Sequence, residues 1–136
     1  MQRIGFVGIG LMGRQMGQRL LTAGFALQVW NRTKEKAGEL LQAGAQWGDS
    51  PAACARTADV VISMVTDSSA SEQVICGRDG VLAGAHPGLI LVDMASIAPE
   101  MSRSLAAKAA AKGVTMLDAP VTGNPNELEQ VFLNLF

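Results

Sequence analysis

The stretch GFVGIGLMGRQMG, from Gly5 to Gly17, constrains the fold of this chain more than any other. An apolar run from Arg3 to Gly8 with β-branched residues reads as a strand. Leu11 to Ala23 then places Met12, Met16 and Leu20 on one helical face and closes at Gly24. Between strand and helix stand Gly8-x-Gly10-x-x-Gly13. In that setting Gly8 makes a tight turn, Gly10 lets backbone approach a ligand, and Gly13 brings helix and strand into contact. The helix start that follows offers unpaired N–H groups and roughly half a positive charge, which suits a phosphate. With Ile9, Leu11 and Met12 between them, Gly8, Gly10 and Gly13 are expected to line the pyrophosphate of a dinucleotide cofactor. A merely tight strand–helix turn is the alternative.

The same rhythm continues. FALQVWNR alternates as a second strand, and TKEKAGELLQAG returns to helix, with Thr33 as a candidate N-cap and Gly44 as a stop. AQWG is a short third strand, DSPAACART a short helix opened by Ser50-Pro51, and ADVVISMV a strand apolar enough to be covered on both faces. SSASEQVICG reads as a helix, GLILVDMA as a fifth strand, APEMSRSLAAKAAAKG as a long helix with Pro99 in its first turn, and VTMLDAP as a sixth strand. Strands alternating with helices imply right-handed crossovers and a parallel sheet. The expected fold is therefore α/β, a doubly wound Rossmann fold with a parallel six-stranded sheet of order 3-2-1-4-5-6 and helices on both faces. Residues 1–123 form the expected cofactor-binding domain, and residues 124–136 an atypical tail.

Composition bounds the function. A net charge of −1 gives no basic field for nucleic acid, and no stretch is long and apolar enough to span a bilayer. Hydrophobic residues at 49% against 17% charged describe a globular chain with one sizeable core. Cys54 and Cys76 lack metal-ligand or disulfide spacing, so both read as reduced, buried thiols in a cytoplasmic protein.

The end of the second strand selects the cofactor. An Asp or Glu there would accept the adenosine ribose hydroxyls of NAD, whereas this chain has Asn31-Arg32-Thr33. A guanidinium at Arg32 pairs with a 2′-phosphate and stacks on adenine, so NADP is favoured over NAD. The alternative is that Arg32 is an ordinary solvated strand-end residue.

FVGIGLMGRQMGQRLLTAGF, VWNRT, VISMVTD, GLILVDMASIAPE and LDAPVTG resemble, in order and spacing, the β-hydroxyacid dehydrogenase family, which includes 3-hydroxyisobutyrate dehydrogenase, tartronate semialdehyde reductase and relatives of 6-phosphogluconate dehydrogenase. The resemblance implies that Met64 and Val65 border the cofactor with Ser69 near it. It implies that Ser96 lies by nicotinamide and substrate, and that Thr122 and Gly123 hold the acidic group of a small hydroxyacid or semialdehyde. Residue type alone leaves Ser96 open as a helix N-cap and Thr122 as turn chemistry. Asp67 and Ser68 read as helix-start residues, His86 as a solvated loop residue, and Asp93 and Asp118 as turn and cap groups.

Two departures stand out. Asn124-Pro125 follows Gly123 where the family places a second glycine, and no lysine follows Lys112, whereas the family's catalytic lysine comes from a helical domain further on. The chain is thus expected to be truncated and inactive alone, holding the cofactor half of a 3-hydroxyacid dehydrogenase without a catalytic residue of its own. It is also expected to self-associate as a homo-oligomer, with Leu128, Val131, Phe132 and Leu135 at helical spacing in the tail. A non-catalytic dinucleotide-binding or interaction module is the alternative from another class. VWNRT also resembles imine reductases.

Overall fold

The structure, a computed structural model, describes residues 2–120; Thr122, Gly123 and the tail 124–136, with Leu128, Val131, Phe132 and Leu135, lie outside the described residues. The strands are β1 (Arg3–Val7), β2 (Ala26–Trp30), β3 (Gln46–Trp47), β4 (Val60–Ser63), β5 (Ile90–Asp93) and β6 (Thr115–Asp118). They form one sheet of order β3-β2-β1-β4-β5-β6, every neighbouring pair parallel. The helices are α1 (Leu11–Thr22), α2 (Gly38–Gln42), α3 (Pro51–Arg56), α4 (Ser68–Cys76), α5 (Val81–Gly84) and α6 (Pro99–Ala110).

Strand alternation divides the core in two. Ile4, Phe6, Leu27, Val29, Val60, Ile62 and Val92 pack with Met16, Leu20 and Leu40 of α1 and α2. Val7, Val61 and Leu91 pack on the other face with Cys54, Ile75, Val81 and Leu105 of α3 to α6. β4, buried along its whole length, is the strand that both layers cover. The first layer does not reach the far edge of the sheet among the described residues, where Ile90 and Leu117 stay 38% and 47% exposed.

Several helix ends follow their sequence signals. Ser50 Oγ accepts the Ala53 N–H at 3.0 Å, Asp67 Oδ1 accepts the Ala70 N–H at 2.8 Å, and Pro99 opens α6. Others do not. The single helix expected from Thr33 is a 3-10 turn over Lys34–Ala37 followed by α2, and the Thr33 hydroxyl caps nothing. The Thr33 carbonyl instead takes the Lys36 N–H and the Asn31 amide, which tightens the chain into an i→i+3 turn. Ser96 is not an N-cap, because α6 starts three residues later, after Ala98. His86 is half-buried, with Nε2 2.8 Å from the Ala58 carbonyl, so it ties two loops at the amino edge of the sheet. α5 was not foreseen: four residues are too few to show a period, and a Cβ on its Gly84 would overlap the Ala52 carbonyl.

Candidate functional site

The three loop glycines answer to different neighbours. Gly8 has φ 100°, and a Cβ there would overlap the Met64 carbonyl and press on Val65 Cγ1 at 3.3 Å. A Cβ on Gly13 would overlap the Gly8 carbonyl and meet the Phe6 ring at 3.2 Å. Both glycines are required by packing within the chain. Gly10 is exposed, sits at φ −91°, and a Cβ there would meet nothing within 4 Å. Neither strain nor crowding within the described residues calls for glycine at this position, so the open space in front of it fits a ligand that approaches the backbone. Behind it α1 begins, and its first amides, Leu11, Met12 and Gly13, have no intrahelical acceptor and present the positive end of the helix dipole to that space. The cradle thus fits a dinucleotide pyrophosphate.

The loop is stapled from the side. Asn31, at the end of β2, accepts the Ile9 N–H through Oδ1 at 2.8 Å and donates from Nδ2 to the Thr33 carbonyl at 2.9 Å. Ile9 is 1% exposed and its side chain belongs to the core, so it shapes the loop from beneath. Sequence reasoning assigned Asn31 to the cofactor; its amide is committed within the chain. Beyond it Arg32 and Thr33 are exposed, and Lys34 places its ammonium 5.2 Å from the centre of the Trp47 ring. Arg32 makes no ion pair among the described residues, which leaves its guanidinium available at the strand end.

The other loops gather at the same carboxyl edge of the sheet. The Met64 N–H donates to the Val7 carbonyl at 2.8 Å, which sets half-buried Met64 and Val65 against Gly8. Ser69 is exposed in the first turn of α4, and Ser96 is exposed in the β5–α6 loop. Ser68 Oγ accepts the Ala98 N–H at 3.1 Å and so joins these two loops, a contact across 30 residues that no local pattern announces. Asp93 Oδ1 accepts the Ala95 N–H at 3.2 Å, the turn role expected of it. Its complete burial was not expected. Loss of hydration raises the Asp93 carboxyl pKa above the ordinary range, opposed by the Ala95 bond and helped by the neighbouring Asp118 carboxylate.

Groups elsewhere are placed differently. The lysines of this chain are Lys34, Lys36, Lys108 and Lys112. The first two lie beyond β2, and the last two at the end of α6, where Lys112 donates to the Leu82 carbonyl at 3.0 Å. None stands in the β5–α6 loop beside Ser96. Cys54 is fully buried and its thiol pKa is pushed up to about 12. A concavity of about 140 Å³ between Arg3, Leu27, Gln28 and Thr57 lies at the amino edge of the sheet, on the far side from the cradle and smaller than the roughly 300 Å³ at which ligand pockets begin. Among the described residues no helix is long and apolar enough to cross a membrane, and no group of three or more His, Cys, Asp or Glu is placed to hold a metal.

Residues 3–136 match the family model described as the NAD binding domain of 6-phosphogluconate dehydrogenase. Cytokine-like nuclear factor N-PAC of Xenopus tropicalis is 41% identical over 123 residues, covering 90% of this chain and 23% of that protein. The solved structure of Psf3 in complex with NADP+ and 2-OPP is similar with a TM-score of 0.84 at 31% identity, covering 97% of this chain and 52% of that one. Mycobacterium tuberculosis 3-hydroxyisobutyrate dehydrogenase with L-serine gives a TM-score of 0.84 at 30% identity, covering 93% of this chain and 42% of the enzyme. The chain therefore spans about half the length of these two solved proteins, and less of the nuclear factor.

Proposed function

The chain belongs to the family of NAD-binding domains of 6-phosphogluconate dehydrogenase, the cofactor-binding part of the β-hydroxyacid dehydrogenases, and from that premise we propose that it binds NADP in preference to NAD and serves the interconversion of a small 3-hydroxyacid and its semialdehyde. The observation that carries this reading is the open space before Gly10 at the start of α1. The bound NADP+ of a structural relative supports the choice of cofactor, and a relative that is a 3-hydroxyisobutyrate dehydrogenase supports the substrate class.

In this reading the amides of Leu11, Met12 and Gly13 hold the pyrophosphate, with Gly8 and Gly10 giving it room. Arg32, with the Thr33 hydroxyl beside it, pairs with the 2′-phosphate. Met64 and Val65 border the cofactor, with Ser69 near it. Ser96 lies at the nicotinamide end, where it also meets the substrate, and Thr122 and Gly123 receive the substrate's acidic group. The nicotinamide, when bound, supplies or accepts the hydride. No lysine of this chain stands beside Ser96, so the hydroxyl proton is left to a group beyond those described, and the 136 residues alone bind cofactor without turning substrate over. Residues 1–123 act as the cofactor domain of a cytoplasmic protein, a compartment that suits the free Cys54 and Cys76. Exposed Ile90 and Leu117 give it an apolar surface for self-association.

A second reading, a non-catalytic dinucleotide-binding module, draws on the 41% identity to a protein named as a nuclear factor. Calorimetric titration with NADPH, followed by turnover assays with a panel of semialdehydes, tests both. Binding without turnover by the chain, and turnover by a protein that carries it together with a lysine-bearing domain, is the expected result. Turnover in neither favours the module, and absence of NADPH binding contradicts both.

A further inference from the structure

Register places Ser63, Asp93 and Asp118 side by side on β4, β5 and β6, on the sheet face that α4 covers. Ser63 and Asp93 are fully buried, and so is Ser71, which α4 brings to the same carboxyl. Both hydroxyls lie near enough to favour the charged form of Asp93. Yet among the described residues Ser63 Oγ, Ser71 Oγ and Asp93 Oδ2 close no hydrogen bond of ordinary geometry. Buried polar atoms are rarely left so, and each costs stability. Among the described residues, the Asp93 side chain accepts its one ordinary bond from the N–H of Ala95, the residue before Ser96. At the other end of the same short loop, the Ala98 N–H is held by Ser68 Oγ.

We propose that Asp93 is a positioning residue for Ser96: its buried carboxyl, anchored on the Ala95 N–H and flanked by the Ser63 and Ser71 hydroxyls, sets the loop that presents Ser96 to the nicotinamide end of the cofactor. The inference rests on the cofactor reading above. Burial makes the anchor stiff, because the carboxyl is packed between β4, β6 and α4. A solvated aspartate at the loop surface would not hold the backbone in this way.

The test is NADPH titration of the full chain, read by affinity and by the emission of the bound nicotinamide, for Asp93→Ala, Ser96→Ala, the double variant and Asp93→Asn. The single alanine variants are each expected to weaken NADPH binding roughly threefold to tenfold, the worth of one hydrogen bond, and to shift the bound emission. The double variant should lose no more than either single, since both act through one contact. Asp93→Asn keeps an oxygen for the Ala95 N–H and should restore the wild-type emission. Additive losses, or an altered emission in Ser96→Ala with none in Asp93→Ala, would overturn the proposal. Where Asp93→Ala does not fold, a folded Asp93→Asn that loses the wild-type emission overturns it, and one that keeps the emission sustains it. Absence of NADPH binding by the unaltered chain sinks the cofactor reading itself, and this proposal with it.

Discussion

The side-chain oxygen of Asn31 accepts the amide hydrogen of Ile9 at 2.8 Å, fastening the glycine loop to the end of β2 across 22 residues of sequence. The other end of the same amide holds the Thr33 carbonyl. One side chain thereby ties the glycine loop to the strand end that carries Arg32. Asn31→Ala leaves the Ile9 N–H without its acceptor and should weaken NADPH binding by about 1–1.5 kcal/mol, roughly tenfold. Asn31→Asp keeps the Ile9 bond but brings a carboxylate to the 2′-phosphate, so it should lower the preference for NADPH while retaining NADH binding. Calorimetry with both nucleotides checks each variant. Wild-type affinities in Asn31→Ala would remove the staple from the account.

Arg32 is exposed and makes no ion pair among the described residues. A charge-assisted contact with the extra phosphate is worth about 1.5–3 kcal/mol, so the chain should prefer NADPH to NADH by roughly tenfold to a hundredfold. Arg32→Ala should erase that preference and leave NADH affinity as it was. Equal affinity of the wild-type chain for the two nucleotides would contradict the assignment, and raised salt should shrink the difference.

Cys54 supplies a prediction about pH. Burial lifts its thiol from an ordinary 9.0 to about 12 in the folded chain. Between about pH 9 and 12 the unfolded state releases a proton that the folded state keeps. Stability is therefore undiminished below 9 and falls as pH rises through that window. Cys54→Ala should flatten this alkaline limb in urea unfolding curves taken from pH 8 upward, whatever it does to stability at pH 7. In the native chain Cys54 should also resist thiol reagents that label half-buried Cys76. Identical alkaline slopes in the two proteins would count against the burial effect.

The sheet was legible because its signals are local and repeated. Glycine at the end of β1, the apolar run Val60–Ile62 of β4, Ser50-Pro51 and Pro99 each mark a boundary on their own. Gly24 and Gly44 likewise close α1 and α2 with positive φ. What escaped the sequence depends on residues far apart. The Asn31–Ile9 bond, the Ser68–Ala98 bond and the burial of Asp93 beside Ser63 and Ser71 exist only once parallel strands bring their carboxyl ends together. Thr33 does stand at the N-cap position of the 3-10 turn, but its carbonyl, rather than its hydroxyl, organises that turn.

Gly8 and Gly10 separate folding from binding within one loop. Gly8→Ala puts a Cβ onto the Met64 carbonyl at φ 100°, so it should destabilise the chain, with the backbone strain alone costing about 1–3 kcal/mol. At Gly10 a Cβ meets nothing within 4 Å among the described residues, so Gly10→Val should leave a folded chain. Measuring the NADPH affinity of folded Gly10→Val is the most direct test of the pyrophosphate cradle. The account predicts a cooperatively folded chain that has lost NADPH binding. A folded Gly10→Val chain that binds NADPH as tightly as the wild type would contradict it.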